Sequence, residues 1–378
     1  MSRKDCSFAA AQPALAYRWC GLALLSAVTA CEPAPVETTA TATNAVIYGN
    51  DDRREVYELD SVELQNRLAR SIVALIPKAS LDAGSLWNTP TLAERATFCG
   101  TQRFEEQPTA ALCTGVLLDW DLILTAGHCT RALALDRLVA VFGYHYRAPG
   151  ELAVSPDAIF ELAEIVAERL DPVGAEPRLD YAWIRLSYDV APPLEPLGIA
   201  LAPAQAEEPL IVAATSSGLP LKVDQAARVR NPGAPLFDFF RTDSDTSHGA
   251  SGGPALAREH SVLGILSRGG EDFVATASGC LETVTRSENA AEEQYTYAAR
   301  ALEGLCSRTG ASSSLCRAEC GDPCLALPRS PPDTATSEDG CSMSRRCRQR
   351  DLRSWFFLAM LVMLGLRRRV RLSQPSRP

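Results

Sequence analysis

Short apolar runs separated by Pro, Gly and Asp fill the chain from about residue 46 to residue 281. Each run has the length of a β-strand, and turn-forming residues lie between consecutive runs. Clear examples are residues 71–76, 115–118, 122–124 and 262–266. The pattern predicts an all-β fold, either a sandwich or a barrel. One helix is predicted over 289–305, where apolar residues recur at three- and four-residue steps.

The N-terminus has the pattern of an export signal. A basic start followed by an apolar run that ends at Ala30 predicts a secretory signal peptide over residues 1–30. The small residues before Cys31 resemble the lipobox of bacterial lipoproteins, in which the cysteine carries the lipid. Ordinary cleavage after Ala30 without a lipid is the alternative. Residues 31–45, rich in Pro, Thr and Ala, are predicted to form a flexible linker.

The C-terminal part of the chain divides into three segments. Residues 306–327 are rich in cysteine at a spacing that fits no standard zinc finger, so disulfides are expected there rather than a metal site. A stretch of Pro, Ser, Thr and Asp at 328–340 predicts a second linker. Residues 341–378 combine a cysteine, a short apolar run and an arginine cluster, a layout that resembles the sorting tails of some Gram-negative surface proteins. An amphipathic membrane-surface segment is the alternative.

Charge and cysteine content limit the partners and the setting of the protein. The formal net charge of the 378 residues is −9, although residues 341–378 contain ten Arg and one Asp. The body of the chain is therefore strongly acidic and would repel a phosphate backbone, which argues against nucleic-acid binding. Thirteen cysteines favour an oxidising compartment. We expect an exported protein, secreted or held at the cell surface through Cys31 or the C-terminal tail.

Three local patterns carry candidate chemistry. His128 lies in Thr-Ala-Gly-His-Cys after a strand-like run, Asp180 stands just before an apolar strand, and Ser251 is at the centre of Gly-Ala-Ser-Gly-Gly-Pro. A serine hydroxyl is a poor nucleophile until a base takes its proton, and histidine suits that task because its ordinary pKa is about 6.5. A carboxylate on the far ring nitrogen fixes the histidine tautomer and stabilises the imidazolium. Gly249 and Ser251 are predicted to provide the two backbone N–H groups of an oxyanion hole.

The three blocks resemble, in sequence and in order, the signatures of chymotrypsin-like serine proteases. Three further segments are similar to the bacterial glutamyl-endopeptidase branch of that family, namely 46–53, 103–108 and 217–222. The resemblance covers about 46–285. It implies two six-stranded antiparallel barrels, at about 46–190 and about 191–285, with the active site in the cleft between them and the helix 289–305 closing the second barrel.

The resemblance also implies an activity, which is the hydrolysis of peptide bonds in proteins or peptides by a serine endopeptidase. His128, Asp180 and Ser251 would form its catalytic triad, and no cofactor or metal is expected. Two alternatives stay open: an inactive surface-binding protein that keeps the protease fold, and an esterase. The sequence does not indicate the oligomeric state.

Family resemblance assigns one pair of cysteines. Cys113 and Cys129 flank the histidine strand and are expected to form a disulfide that holds the histidine loop. Cys99 and Cys280 are expected to pair with each other or with later cysteines, because connectivity cannot be read from a sequence.

The chain departs from the family pattern beside the nucleophile. Ala250 stands where the family usually has Asp or Asn, so that residue cannot form an ion pair with a newly freed N-terminal amine. In the glutamyl branch the amine instead helps to recognise the substrate, which predicts that Val46 lies near the site. Asp245 occupies the position of an acid that binds basic P1 side chains, whereas Arg268 is suited to an acidic P1 side chain. We expect an acidic P1 preference ahead of a basic one, and mutual neutralisation of the two charges is the third option.

Overall fold

The computed structural model describes residues 47–81, 89–152 and 154–318. The signal peptide, Cys31, Val46, both predicted linkers, the cysteines after residue 318 and the C-terminal tail lie outside these residues, and their assignments stay predictions. Within the described part, no helix combines the length and the hydropathy that a membrane crossing requires.

The described residues form twenty short strands and five α-helices. The strands of the first half are β1 Ile47–Tyr48, β2 Arg54–Glu55, β3 Ile72–Pro77, β4 Cys113–Asp119, β5 Leu122–Thr125, β6 Leu138–Phe142, β7 Tyr146–Ala148, β8 Glu151–Leu152, β9 Ile159–Leu170 and β10 Asp180–Leu186. Those of the second half are β11 Ile211–Ala214, β12 Lys222–Asp224, β13 Val229–Asn231, β14 Phe239–Thr242, β15 Pro254–Leu256, β16 Val262–Arg268, β17 Phe273–Ala275, β18 Leu281–Thr283, β19 Thr285–Arg286 and β20 Glu293–Tyr297. The helices are α1 Val62–Ser71, α2 Leu92–Arg95, α3 Cys129–Ala132, α4 Ala298–Thr309 and α5 Ser314–Ala318.

Six strands of the first half close into an antiparallel barrel in the order β10-β5-β4-β3-β6-β9. Its interior is filled by buried apolar side chains that alternate with outward-facing residues, as in Leu117, Ile123, Phe142 and Ile184. Closure leaves these six strands without a free edge. The expected all-β fold with a six-stranded barrel is confirmed.

The second half is an eight-stranded sheet in the order β13-β14-β20-β16-β15-β11-β12-β2. It differs from the expected six-stranded barrel over 191–285 because it also takes in β2 from the N-terminal segment and β20 from beyond residue 285. The predicted helix over 289–305 is wrong in its first half and right from Ala298 onward. Glu293, Tyr295 and Tyr297 are each fully buried, and residues 293–297 pair with β14 on one side and β16 on the other, so this segment is a strand.

Helix α4 joins the cores of the two halves. Its buried face, which includes Leu302 and Leu305, shares one apolar cluster with barrel residues and with residues of the second sheet. Trp183 of β10 belongs to the same cluster and is fully buried. Its indole Nε1 donates to the carbonyl oxygen of Ala301 at 2.8 Å, so the barrel holds α4 by a hydrogen bond as well as by packing.

Three disulfides link the described residues. The expected pair Cys113–Cys129 is confirmed and joins β4 to the start of α3. Cys99–Cys280 settles the pairing that the sequence left open and bridges positions 181 residues apart. Cys306–Cys316 connects α4 to α5. All three are compatible with an oxidising compartment.

The N-terminal segment is bound to the second sheet through a buried carboxylate. The backbone N–H groups of Tyr48 and Asp52 donate to the two oxygens of Asp245, at 2.8 and 2.7 Å. Asp224 lies beside it and accepts from the backbone N–H of Asp245 at 2.9 Å. Burial raises the pKa of Asp245 to about 7 and that of Asp224 to about 6. Proton uptake by these two groups therefore accompanies folding near neutral pH.

We predict that Trp183→Ala destabilises the protein by about 3–5 kcal/mol, because it leaves a large cavity and removes the hydrogen bond that the indole donates to the Ala301 carbonyl. Trp120→Ala is the matched control, since Trp120 is 45% exposed and its loss should cost less than about 1 kcal/mol. The free energy of unfolding in urea measures both. Equal losses for the two variants would contradict the role given to Trp183.

We also predict that the protein becomes less stable as the pH rises from 5 to 8. Between their ordinary pKa of 3.8 and their raised values, Asp224 and Asp245 bind more protons in the folded than in the unfolded chain, so stability falls across that window. Melting temperatures at the two pH values measure the effect. Asp245→Asn should reduce the difference, whereas Asp136→Asn, at an exposed position, should leave it unchanged.

Candidate active site

The first barrel holds His128 and Asp180 in direct contact. Asp180 begins β10 and is buried, and its Oδ2 lies 2.8 Å from the ring Nδ1 of His128. The backbone N–H of His128 donates to the other oxygen, Oδ1, at 3.1 Å. Because an ionised carboxylate only accepts, Nδ1 carries the proton and Nε2 is left as the basic nitrogen. About a third of the His128 side chain is exposed to solvent, so a ligand can reach the ring.

The contact between His128 and Asp180 requires the backbone of the histidine loop to come very close to neighbouring strands. Gly127 precedes the histidine, and a Cβ there would collide with the carbonyl oxygen of Arg169 and lie 2.9 Å from that of Tyr181. Any other residue would push the histidine loop away from β10. The glycine in the sequence block therefore serves the contact between His128 and Asp180.

Ser251 belongs to a turn of the second half that is bound to the first barrel. Its carbonyl oxygen accepts from the backbone N–H of Thr114 on β4 at 2.8 Å. The following Gly252 has a φ of +82°, and a Cβ there would collide with Thr114 and lie 2.9 Å from the backbone nitrogen of Ala126. Ala126 is two residues before His128. The turn is thereby brought beside the histidine loop.

The predicted oxyanion donors are free in the structure. Among the described residues, the backbone N–H groups of Gly249 and Ser251 donate to no acceptor, although both residues are buried. The carbonyl of Gly249 is turned the other way and accepts from the hydroxyls of Thr114 and Thr215, each at 3.0 Å. Two buried N–H groups without partners are costly unless a ligand oxygen completes them.

Sequence reasoning missed Thr114 and Thr215. Their hydroxyls lie 2.8 Å apart across the two halves of the fold, and they hold the Gly249 carbonyl from both sides. Neither threonine stands in one of the three sequence blocks, and no pattern along the chain marks them. Their role comes only from the packing of β4 against the residue that follows β11.

The hydroxyl of Ser251 makes no hydrogen bond within the described part of the chain, and this includes the ring of His128. Nucleophile–base hydrogen bonds are often long without substrate and tighten when it binds. His248 stands on the same turn, and partial burial together with the neighbouring His128 lowers its pKa. His248 on the turn and the ring of His128 are therefore close enough for their charges to interact.

The two charges expected in the substrate pocket are engaged elsewhere. Both oxygens of Asp245 accept N–H groups of the N-terminal segment, as described above. Arg268 donates through Nη2 to the carbonyl oxygen of Asp171 at 2.6 Å. The structure does not bring Asp245 and Arg268 into contact, so the option of mutual neutralisation is wrong for the described residues.

Two other carboxyls lie beside the Ser251 turn and were missed by sequence reasoning. Asp272 accepts from the backbone N–H of His248 at 2.9 Å, and burial raises its pKa to about 7. Its second oxygen is buried and has no hydrogen-bond partner among the described residues. Glu293 is fully buried and accepts from the Thr246 hydroxyl at 2.8 Å, and burial raises its pKa to about 8. Both groups are therefore partly or mostly protonated at neutral pH.

One group of side chains has the proximity that metal ligands need. Ligand atoms of Cys113, His128 and Cys129 lie within 4.8 Å of one another. Both sulfurs are joined in the disulfide, so they are not thiolates and the group does not resemble a zinc site.

Comparison with known proteins identifies a region that contains His128, Asp180 and Ser251. Residues 113–265 match the family model of the trypsin-like peptidase domain. Among curated proteins, none matches this chain in sequence. The inactive form of a serine-to-alanine mutant of Rv3671c from M. tuberculosis is 16% identical, with a TM-score of 0.36, over 65% of this chain and 89% of that chain. The VesB protease of Vibrio cholerae is 17% identical, with a TM-score of 0.36, over 67% of this chain and 64% of that chain.

The family match and the barrel agree on the architecture. The fold of this chain is chymotrypsin-like, with a six-stranded barrel and few helices, and its region 113–265 is similar to the trypsin-like peptidase domain.

Proposed function

We propose that this protein is a serine endopeptidase that cleaves peptide bonds through His128, Asp180 and Ser251. The match of residues 113–265 to the trypsin-like peptidase domain supports a peptidase. The observation that carries the specific proposal is the pair of contacts that Asp180 makes with His128, because they leave Nε2 as the basic nitrogen of a loop that lies beside the Ser251 turn. The two unpaired N–H groups of that turn supply the complementary site for a developing negative oxygen.

Each residue has one task in this mechanism. As the Ser251 hydroxyl oxygen attacks the substrate carbonyl carbon, His128 Nε2 takes the hydroxyl proton. The carbonyl oxygen becomes an oxyanion that accepts from the N–H groups of Gly249 and Ser251. His128 then gives its proton to the leaving amine, and the C–N bond breaks to leave an acyl-enzyme. Water, deprotonated by His128, attacks the ester carbon; the bond to the Ser251 oxygen breaks, His128 returns the proton to that oxygen, and the acid is released. Asp180 stays ionised and stabilises the imidazolium at each step.

Export, the branch of the protease family, lipidation and sorting are supported by fewer observations. Three disulfides support export of the protein. Similarity to the glutamyl-endopeptidase branch is supported by the sequence of segments 46–53, 103–108 and 217–222. Ile47 lines a small cavity of about 20 Å³ together with Thr246, Ser247 and Asp272. Lipidation at Cys31 and the tail's role in sorting are proposals from the sequence alone.

Ser251→Ala is predicted to reduce peptide hydrolysis by more than about 10⁴-fold while leaving the melting temperature nearly unchanged, because the one hydroxyl that is lost makes no hydrogen bond within the described residues. Fluorogenic peptides measure the rate and thermal unfolding measures stability. A fluorophosphonate probe should label the wild-type protein at this serine and leave the variant unlabelled.

The matched control is Ser278→Ala, an exposed serine on the loop between β17 and β18. It should keep full activity and labelling. Cleavage by Ser251→Ala at the wild-type rate would refute the triad. A wild-type protein that never reacts with the probe would favour the inactive binding protein, and turnover of small esters without any peptide cleavage would favour the esterase.

A further inference from the structure

Two arginines lie on either side of one strand near the candidate site. Gln294 of β20 is the register partner of Arg241 on β14 and of Arg268 on β16. Directly paired residues of antiparallel strands point to the same face of the sheet. Arg241 and Gln294 therefore share a face, and Arg268 is the neighbour of Gln294 on the third strand, just after a bulge in β16.

A third arginine completes this group. The guanidinium groups of Arg178 and Arg241 lie 5.8 and 5.9 Å from the ring centre of Phe239. Burial, followed by the positive charges of Arg268 and Arg241, lowers the pKa of Arg178. Arg178, Arg241 and Arg268, called here the arginine cluster, are thus held together although their charges repel.

The carboxylates nearest the arginine cluster are occupied by other groups. Asp171 pairs with Arg169 at 2.9 Å, and only its backbone carbonyl receives a hydrogen bond from the cluster. Asp238 accepts from the backbone N–H of Arg178 at 3.2 Å and lies 3.8 Å from Arg300.

The arginine cluster has unused donors. Within the described residues, no member of the cluster forms an ion pair, and Nε of Arg178 is buried without a hydrogen-bond partner. Several guanidinium donors that converge without a counter-ion make a site for a planar anion such as a carboxylate.

The arginine cluster lies within reach of the candidate nucleophile. The carbonyl of Leu266 accepts from the backbone N–H of Gly252 at 2.7 Å, next to Ser251. Arg268 is two residues further along β16, which is about 7 Å at the rise of an extended strand. An extended peptide bound at Ser251 would therefore bring side chains past the cluster within a few residues.

We propose that the arginine cluster binds the carboxylate of an Asp or Glu side chain in a polypeptide substrate, two to four residues from the cleaved bond. The inference rests on the proposed peptidase function and names a substrate class for it. The cluster selects acidic segments beside the cleavage site, independently of the side chain at the cleaved bond itself.

The first test is the digestion of a defined peptide mixture by the full chain, with cleavage sites read by mass spectrometry. At one or more positions two to four residues from the cleaved bonds, Asp and Glu should occur on the order of tenfold more often than Asn and Gln. A charge-assisted hydrogen bond provides a gain of this size. Arg178→Gln and Arg241→Gln should each reduce this preference while still cleaving peptides without acidic residues. Arg258→Gln is the control, because Arg258 is exposed and lies shortly before the first residue of β16, whereas Arg268 is the last. This variant should retain the acidic preference.

A second measurement separates this inference from the proposed function. Fluorescein-labelled peptide pools with Glu or Gln at a fixed position are titrated against the Ser251→Ala protein, which binds without cleaving. Tighter binding of a Glu pool, lost with Arg178→Gln and weakened by salt, supports the arginine cluster even if the wild-type protein neither cleaves peptides nor labels with fluorophosphonate. Cleavage without acidic preference, together with equal binding of Glu and Gln pools, overturns the inference and leaves the peptidase intact. If Arg178→Gln lowers the melting temperature, Arg268→Gln replaces it.

Discussion

The hydrogen-bonded contact between β4 and the Ser251 turn is the constraint on which the candidate site depends. His128 and Asp180 belong to the barrel, whereas Ser251 comes from the second sheet, so no local element relates them. The hydrogen bond from Thr114 to the Ser251 carbonyl fixes the distance between the two halves at that point. The side chain of Thr114 then fixes the orientation of the Gly249 peptide. One barrel residue thus holds two carbonyl oxygens of the turn, that of Ser251 through its backbone N–H and that of Gly249 through its hydroxyl.

Local features that depend on short stretches of chain, such as the contact between His128 and Asp180, could be predicted from the sequence. His128, Asp180 and Ser251 each stand in a block in which the neighbours have a local reason, such as the glycine that lets the histidine loop approach β10. The strand-length apolar runs predicted an all-β fold, and the family resemblance added the six-stranded barrel. The Cys113–Cys129 pair was expected from the family resemblance, and the structure contains it.

Features made by distant segments could not be predicted. Tyr295 and Ala298 recur at a helical step, yet burial of Tyr295 and Tyr297 between two strands decides that the first is in a strand and the helix starts at the second. Asp245 looked like a pocket acid because nothing in its own surroundings reveals that Tyr48 and Asp52, nearly 200 positions earlier, take both its oxygens. The burial of Asp272 and Glu293 likewise exists only after the sheet has closed around them.

The Cys99–Cys280 bond has a consequence for a protein that is itself exposed to proteolysis. It turns most of the barrel and much of the second sheet into one covalent ring, with His128, Asp180 and Ser251 all inside it. A single backbone scission anywhere within that ring opens it without releasing a fragment. A protease that cuts the chain there would therefore leave the two pieces covalently joined and able to reassociate.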